Sequence, residues 1–165
     1  IMVGGADTMP VIYLDNCCYN RPFDERSNIK NYLEREAVLL IMQMAYEGKS
    51  RVPGFRIVGS DVLLKEMRMI PDIEKRRDIE LLYRAVISDE IKLNDRIADR
   101  AKQIMQQSSI RAFDSLHLAS AEVGADVLLT TDIKFMKAAN RMGTSIRVLN
   151  PVSFILEGNE NECNN

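Results

Sequence analysis

Two short apolar runs, each ending in an aspartate, narrow the possible architectures of this chain more than any other feature. Val11-Ile12-Tyr13-Leu14 leads into Asp15, and Val127-Leu128-Leu129 leads through two threonines into Asp132. Neither run alternates apolar with polar residues, so each suits a strand covered on both faces, as in a parallel sheet. In open parallel sheets, ligands bind beyond the carboxyl ends of the strands. A carboxylate there faces the cleft rather than the core. Two of them, from distant parts of the chain, can converge on one cation.

Helical and extended patterns alternate around these runs. After a polar loop, NCCYNRPFDERSN, the residues Ala37, Leu40, Ile41, Met44 and Ala45 recur at helical spacing. This predicts a helix over Ile29–Glu47, capped by Ser27 or Asn28 and stopped by Gly48. A short strand is expected at Phe55–Val58, then a helix capped by Ser60 and ended before Pro71. Asp72 and Asn94 are candidate caps for two further helices, with an apolar pair, Ile91 and Leu93, between them as a possible strand. Ala112–Val123 reads as helix ended by Gly124, Val127–Thr130 as strand, Ile133–Met142 as helix ended by Gly143, and Ser145–Leu149 as the last strand. Such alternation predicts an α/β protein, a sandwich of helices around a central, mostly parallel sheet.

Length and composition set wide bounds. A chain of 165 residues fits one domain. A net charge of −2 and a pI of about 5.5 give no overall basic signature of a nucleic-acid binder, although a local basic rim or bound cations can supply one. No apolar run is long enough to span a bilayer, and no membrane association is expected. Residues 1–9 lack the pattern of a signal peptide and read as a tag remnant or disordered terminus. The domain is expected over residues 10–156, followed by a disordered polar tail at 157–165. Cys17 and Cys18 are adjacent, and adjacent cysteines rarely satisfy disulfide geometry. They read as reduced thiols, which implies a reducing compartment, the cytoplasm. With a single histidine in the chain, a zinc site is disfavoured.

Among the 24 acidic residues, two more stand out. Asp114 opens the helix pattern RAFDSLHLASAEVG. A first-turn acid opposite the helix dipole explains it as well as a site role does. Glu66 lies at the edge of the apolar stripe in SDVLLKEM, and on its own reads as a solvated acid. His117 follows Asp114 on the same helical face and reads more readily as a buried structural histidine than as a base.

Together these segments resemble the PIN domain family, and within it the VapC-like ribonuclease toxins of toxin–antitoxin pairs. The resemblance spans about Pro10 to Leu156. It is carried by VIYLDN, by SDVLLKEM, by FDSLHLASAEVGADVLLTTDIKF and by the closing NPVSFI. It implies a three-layer α/β/α sandwich and a site of four acids: Asp15, Glu66, Asp114 and Asp132. It implies that Asn16 and Thr131 stand beside the metal as small polar residues. It also implies a Mg2+- or Mn2+-dependent endoribonuclease, a homodimer and a cognate antitoxin.

The chemistry suits that pattern. Mg2+ takes oxygen ligands, keeps several waters, and is commonly held by one or two carboxylates with substrate phosphate. Four acids can hold one ion or a pair. Like charges about 4 Å apart repel by about 4 kcal/mol at an effective dielectric of 20. Gathered carboxylates therefore need a cation, a basic partner or proton uptake. Lys65 and Arg111 are the basic neighbours in sequence. Of the basic residues that could meet RNA phosphates, Arg21 and Lys134 are favoured because each closely follows a strand-end aspartate.

Two further classes compete with a nuclease. One is a non-catalytic PIN-like module that binds RNA or a protein partner. The other is an aspartate-based phosphotransferase. A haloacid-dehalogenase-like enzyme needs a second aspartate where Cys17 stands, and Asp61 fits a receiver-domain phosphoacceptor poorly.

Overall fold

The computed structural model describes residues 9–25, 27–48 and 54–163, without the side chains of residues 48 and 158–163. Five strands form one sheet: β1 (Val11–Leu14), β2 (Arg56–Ser60), β3 (Ile87–Ile91), β4 (Val127–Leu129) and β5 (Arg147–Leu149). Their order is β3-β2-β1-β4-β5, and all four pairings are parallel. The helices are α1 (Asn16–Asn20), α2 (Ile29–Gly48), α3 (Asp61–Met67), α4 (Ile73–Val86), α5 (Asp95–Gln107), α6 (Ala112–Gly124), α7 (Ile133–Met142) and α8 (Pro151–Cys163).

The chain winds from β1 outward to β2 and β3, then returns past β1 to build β4 and β5 on its other side. Parallel crossovers are right-handed almost without exception. The outward and return legs therefore lay their helices on opposite faces, which makes three layers. α5 packs on α6 along the return leg, and α8 comes back to lie against α2. The two apolar runs are the central pair: Ile12, Tyr13 and Leu14 stand beside Val127, Leu128 and Leu129. All six are buried, as expected for strands covered on both sides.

Capping residues define most helix starts as the sequence implied. Asn28 accepts from the Asn31 N–H at 2.9 Å, Ser60 from Leu63 at 3.1 Å, Asp72 from Lys75 at 3.0 Å and Asn94 from Ile97 at 3.1 Å. Gly143 ends α7 at φ 78°, the left-handed conformation that glycine adopts without strain.

Three elements differ from expectation. α1 forms inside the supposed loop. It has no helical repeat to read; it exists because Asp15 caps it and because Cys18 and Tyr19 are buried beneath it. β3 is Ile87–Ile91 rather than the pair Ile91 and Leu93. It is an edge strand with a solvated face, so its middle, Ser-Asp-Glu, carries no apolar signal. No helix was expected after the last strand, yet Pro151 begins α8, where Asn150 accepts from the Val152 N–H at 2.9 Å. α8 runs to Cys163, through most of the tail expected to lack order. Residues 1–8 of the expected N-terminal remnant lie outside the described residues.

Two contacts allow direct tests of this packing. A Cβ at Gly59 on β2 would fall 2.1 Å from the Tyr83 hydroxyl oxygen, so β2 and α4 approach through a space that only hydrogen fills. Gly59→Ala is expected to lower unfolding stability by about 1–3 kcal/mol in urea titrations, the usual cost of overpacking. Arg100 on α5 grips Glu122 on α6 through two hydrogen bonds, at 2.7 and 3.0 Å, and Thr144 adds a third at 2.8 Å. Burial opposes the charged carboxylate, but these bonds and the arginine charge hold the Glu122 pKa below its ordinary value of 4.5. The stability this supplies is complete above that ordinary value and is lost as pH falls through the depressed one. Glu122→Gln should therefore cost about 1–3 kcal/mol at neutral pH, and its deficit should shrink on acidification, as read by urea unfolding across the acid range.

Candidate active site

The winding reverses at β1. Its neighbours β2 and β4 are reached by connections running in opposite directions, so a crevice opens beyond the carboxyl ends of β1 and β4. Asp15 and the Thr130-Thr131-Asp132 segment occupy that rim. The Asp15 N–H extends the ladder to the Leu129 carbonyl at 2.9 Å.

Asp15 is 5 % exposed and its carboxylate is held on both oxygens. Oδ1 accepts from the Asn16 N–H at 2.7 Å, while Oδ2 accepts from the Thr130 hydroxyl at 2.8 Å and the Cys17 thiol at 3.1 Å. The Thr130 Oγ1 in turn accepts from the Asp132 N–H at 3.1 Å. One hydroxyl therefore ties both strand-end aspartates. Asp132 is exposed and caps α7, taking the Lys134 and Phe135 N–H groups at 2.8 and 3.0 Å.

α6 and α3 bring the other two acids. Asp114 is half-buried in the first turn of α6. Burial, then repulsion from Asp15, pushes its pKa from 3.8 to about 6; Asp132 and Glu66 add to the rise and His117 offsets part of it. Acids from the end of β1, from α3 and from the start of α7 thus act on Asp114 of α6 across a single crevice.

Glu66 is anchored from within. Its Oε2 lies 2.7 Å from the His117 Nε2, the His117 Nδ1 lies 2.8 Å from the Tyr13 hydroxyl, and that hydroxyl lies 2.7 Å from the Ser60 Oγ. His117 is fully buried, as expected of a structural histidine. Burial lowers its pKa, but the Glu66 hydrogen bond and the charges of Asp15, Glu66 and Asp114 outweigh this, and the net shift is upward.

Among the described residues, no lysine or arginine forms an ion pair with Asp15, Glu66, Asp114 or Asp132. Lys65 and Arg111 are both exposed and neutralise none of them. The remaining routes to neutrality are proton uptake, toward which the raised Asp114 pKa leans, the His117 imidazole beside Glu66, and a cation. An all-oxygen, uncompensated donor set fits a hard divalent cation. Among the described residues, no three histidine, cysteine, aspartate or glutamate side chains are gathered tightly enough to hold an ion. The arrangement suits an ion held by one or two carboxylates with waters completing its shell.

The other expected residues fare differently. Asn16 serves Asp15 through its backbone N–H, while its side chain accepts from Asn20 at 3.3 Å. Thr131 accepts from Arg21 at 2.9 Å, and the threonine that touches the acids is Thr130. Two adjacent threonines cannot be told apart in the sequence; the end of the β4 pleat decides which one faces the crevice. Arg21 does not project as a free phosphate contact. Its side chain is 15 % exposed, 3.0 Å from the buried Glu34 and 3.2 Å from Asp24. Lys134 is exposed, and among the described residues its ammonium has no partner. Tyr13 and Cys17 do not read as parts of the site because each looks like ordinary strand or loop material, and Ser60 reads only as a helix cap.

An open parallel α/β sandwich with an acidic crevice at the reversal of its winding defines the class. The PIN domain profile matches residues 29–141, and the chain belongs to the PIN domain family. No curated protein matches it in sequence. In fold it is similar to the crystal structure of FitAcB from Neisseria gonorrhoeae, with 18% identity, a TM-score of 0.51, and coverage of 85% of this chain and 97% of that one. It is also similar to FitAB bound to an IR36 DNA fragment, with 18% identity, a TM-score of 0.55, and coverage of 86% and 95%.

The buried charges around Arg21 separate a framework role from substrate binding. Glu34 is 1 % exposed and keeps Lys30 and Asn150, at 3.0 and 2.8 Å, when Arg21 is removed. Arg21→Ala should therefore cost roughly 2–3 kcal/mol of stability in urea unfolding, below the full cost of orphaning a buried charge.

Proposed function

We propose that this protein is a metal-dependent endoribonuclease that hydrolyses RNA phosphodiester bonds, and that it is the toxin of a toxin–antitoxin pair. The observation that carries this reading is the convergence of Asp15, Glu66 and Asp132 on Asp114 at the switch point, with no lysine or arginine among the described residues paired to any of the four. Membership of the PIN domain family supports the nuclease class. A fold similar to FitAB bound to DNA supports a working life with a protein partner, here a cognate antitoxin. A homodimer and a cytoplasmic location complete the proposal. Among the described residues, no helix is long and apolar enough to cross a membrane.

The donor chemistry selects Mg2+ or Mn2+. Asp15, Asp114 and Asp132 would hold the ion directly or through water, with Glu66 completing the set. When bound, such an ion polarises the scissile phosphate and acidifies a bound water. The chain itself does the positioning. Thr130 and Cys17 fix the Asp15 carboxylate. Asp114, with its pKa raised toward neutrality, can accept a proton from an attacking water. Lys134, exposed on the first turn of α7, would meet a substrate phosphate.

A non-catalytic module that binds RNA or a partner is the second reading. The absence of any tight group of three metal-ligating side chains among the described residues favours it. Cleavage assays on a panel of single-stranded and structured RNAs separate the two. Wild type should cut only with Mg2+ or Mn2+ and stop on chelation. Asp114→Asn should lower the rate by at least about 10²-fold, the scale of losing one preorganised electrostatic group. The same variant should melt higher than wild type in chelator, because it removes a repelled charge. RNA binding without cleavage across the whole panel would establish the binding module instead.

A further inference from the structure

We propose that Tyr13 and His117 are positioning residues that aim the Glu66 carboxylate from inside the core, through one chain of hydrogen bonds with a single internally consistent direction. The proposal rests on the nuclease reading for its consequence, but the chain of bonds stands on geometry alone.

Ser60, Tyr13 and His117 are each 0 % exposed, so their polar atoms must find their partners inside the protein. The count of protons fixes the direction. The Leu63 N–H donates to the Ser60 Oγ at 3.1 Å, leaving the serine hydroxyl hydrogen to be placed. Its one neighbour is the Tyr13 oxygen at 2.7 Å. Tyr13 then has its own proton for the His117 Nδ1 at 2.8 Å, and His117 keeps its hydrogen on Nε2 for Glu66 at 2.7 Å. In the opposite order the buried serine hydrogen has no acceptor among the described residues, and a bare Nε2 faces a carboxylate. Every donor therefore points toward Glu66.

The ring is also held laterally. Tyr13 lies against it at 5.9 Å between centroids and Phe113 stacks on it at 6.5 Å. Glu66 stands at the end of the short helix α3 with 27 % of its side chain exposed, and in isolation it would sample many rotamers. Pinning Oε2 removes that freedom and leaves Oε1 without a protein partner among the described residues. The path crosses the molecule from β1 and the end of β2 through α6 to α3. It thus ties the carboxylate to the same strand that carries Asp15. Outer partners that orient a ligating group are typically worth about 10–100-fold in metal affinity or activity.

The chain contains one histidine, so its imidazole nitrogens give a single, unambiguous pattern in long-range ¹H–¹⁵N spectra. At alkaline pH the wild type should show the Nε2–H tautomer, and Tyr13→Phe, which deletes one oxygen, should keep that tautomer but shift the Nδ1 resonance, which loses its donor. An Nδ1–H wild type, or a pattern unchanged in Tyr13→Phe, overturns the proposal whether or not the protein cuts RNA. In cleavage assays Tyr13→Phe should lower kcat by about 10–100-fold with KM for RNA unchanged. Combined with Glu66→Gln it should be no slower than Glu66→Gln alone, because both changes break one path. Losses that multiply independently refute the relay. A wild type that never cuts refutes the nuclease reading, and the spectra then decide the relay.

Discussion

Pairing Leu14 with Leu129 in a parallel ladder forces two loops, more than a hundred residues apart in the chain, to leave the sheet side by side. Everything at the crevice follows from that pairing. The Asp15 N–H bonds the Leu129 carbonyl, Thr130 reaches across to Asp15, and Asp132 hangs its own N–H on the same hydroxyl. Parallel strands cannot be joined by a tight turn, so the intervening chain must form crossovers. Those crossovers supply α3 and α6, the carriers of Glu66 and Asp114.

Assembling the four acids works against the fold. Burial and then repulsion raise the Asp114 pKa, and no lysine or arginine among the described residues is paired with the four acids. The surrounding scaffold therefore has to be stiff. Asp15 is held by three donors, Glu66 by a fully buried chain of side chains, and Asp132 by the first turn of α7. Arg21 contributes to this framework: with Glu34, Asp24 and Thr131 it locks the segment after α1 to the end of β4. Natural proteins accept such local strain where function requires it and recover stability elsewhere. Here the recovery lies in the apolar strand core and in pairs such as Arg100–Glu122, away from the crevice.

Much of the architecture was legible in the residues. Buried parallel strands announce themselves as apolar runs, and β1 and β4 were read to within a residue. Ser60, Asp72, Asn94 and Gly143 punctuate helices because caps and the left-handed stop depend on local chemistry alone. Elements whose stability comes from distant contacts were illegible. α1 is five residues long and held by burial of Cys18 and Tyr19. β3 shows a polar face because it is an edge, and α8 begins at a proline, where no helix was expected.

At the crevice the same division holds. The identity of the four acids could be proposed from short motifs, because each motif joins a carboxylate to a recognisable strand end or helix start. Which hydroxyl serves them could not: Thr130 and Thr131 differ only in the face on which the strand leaves them. Nor could the role of Arg21, whose partners lie on α2 and at the end of β4, or that of Tyr13, which in sequence is one more apolar strand residue. Local pattern encodes periods, caps and the placing of a charge at the end of an element. The winding order of the strands, the solvent exposure of a side chain and the partner its polar atom meets arise only when remote segments pack, because they depend on distances the linear order does not contain.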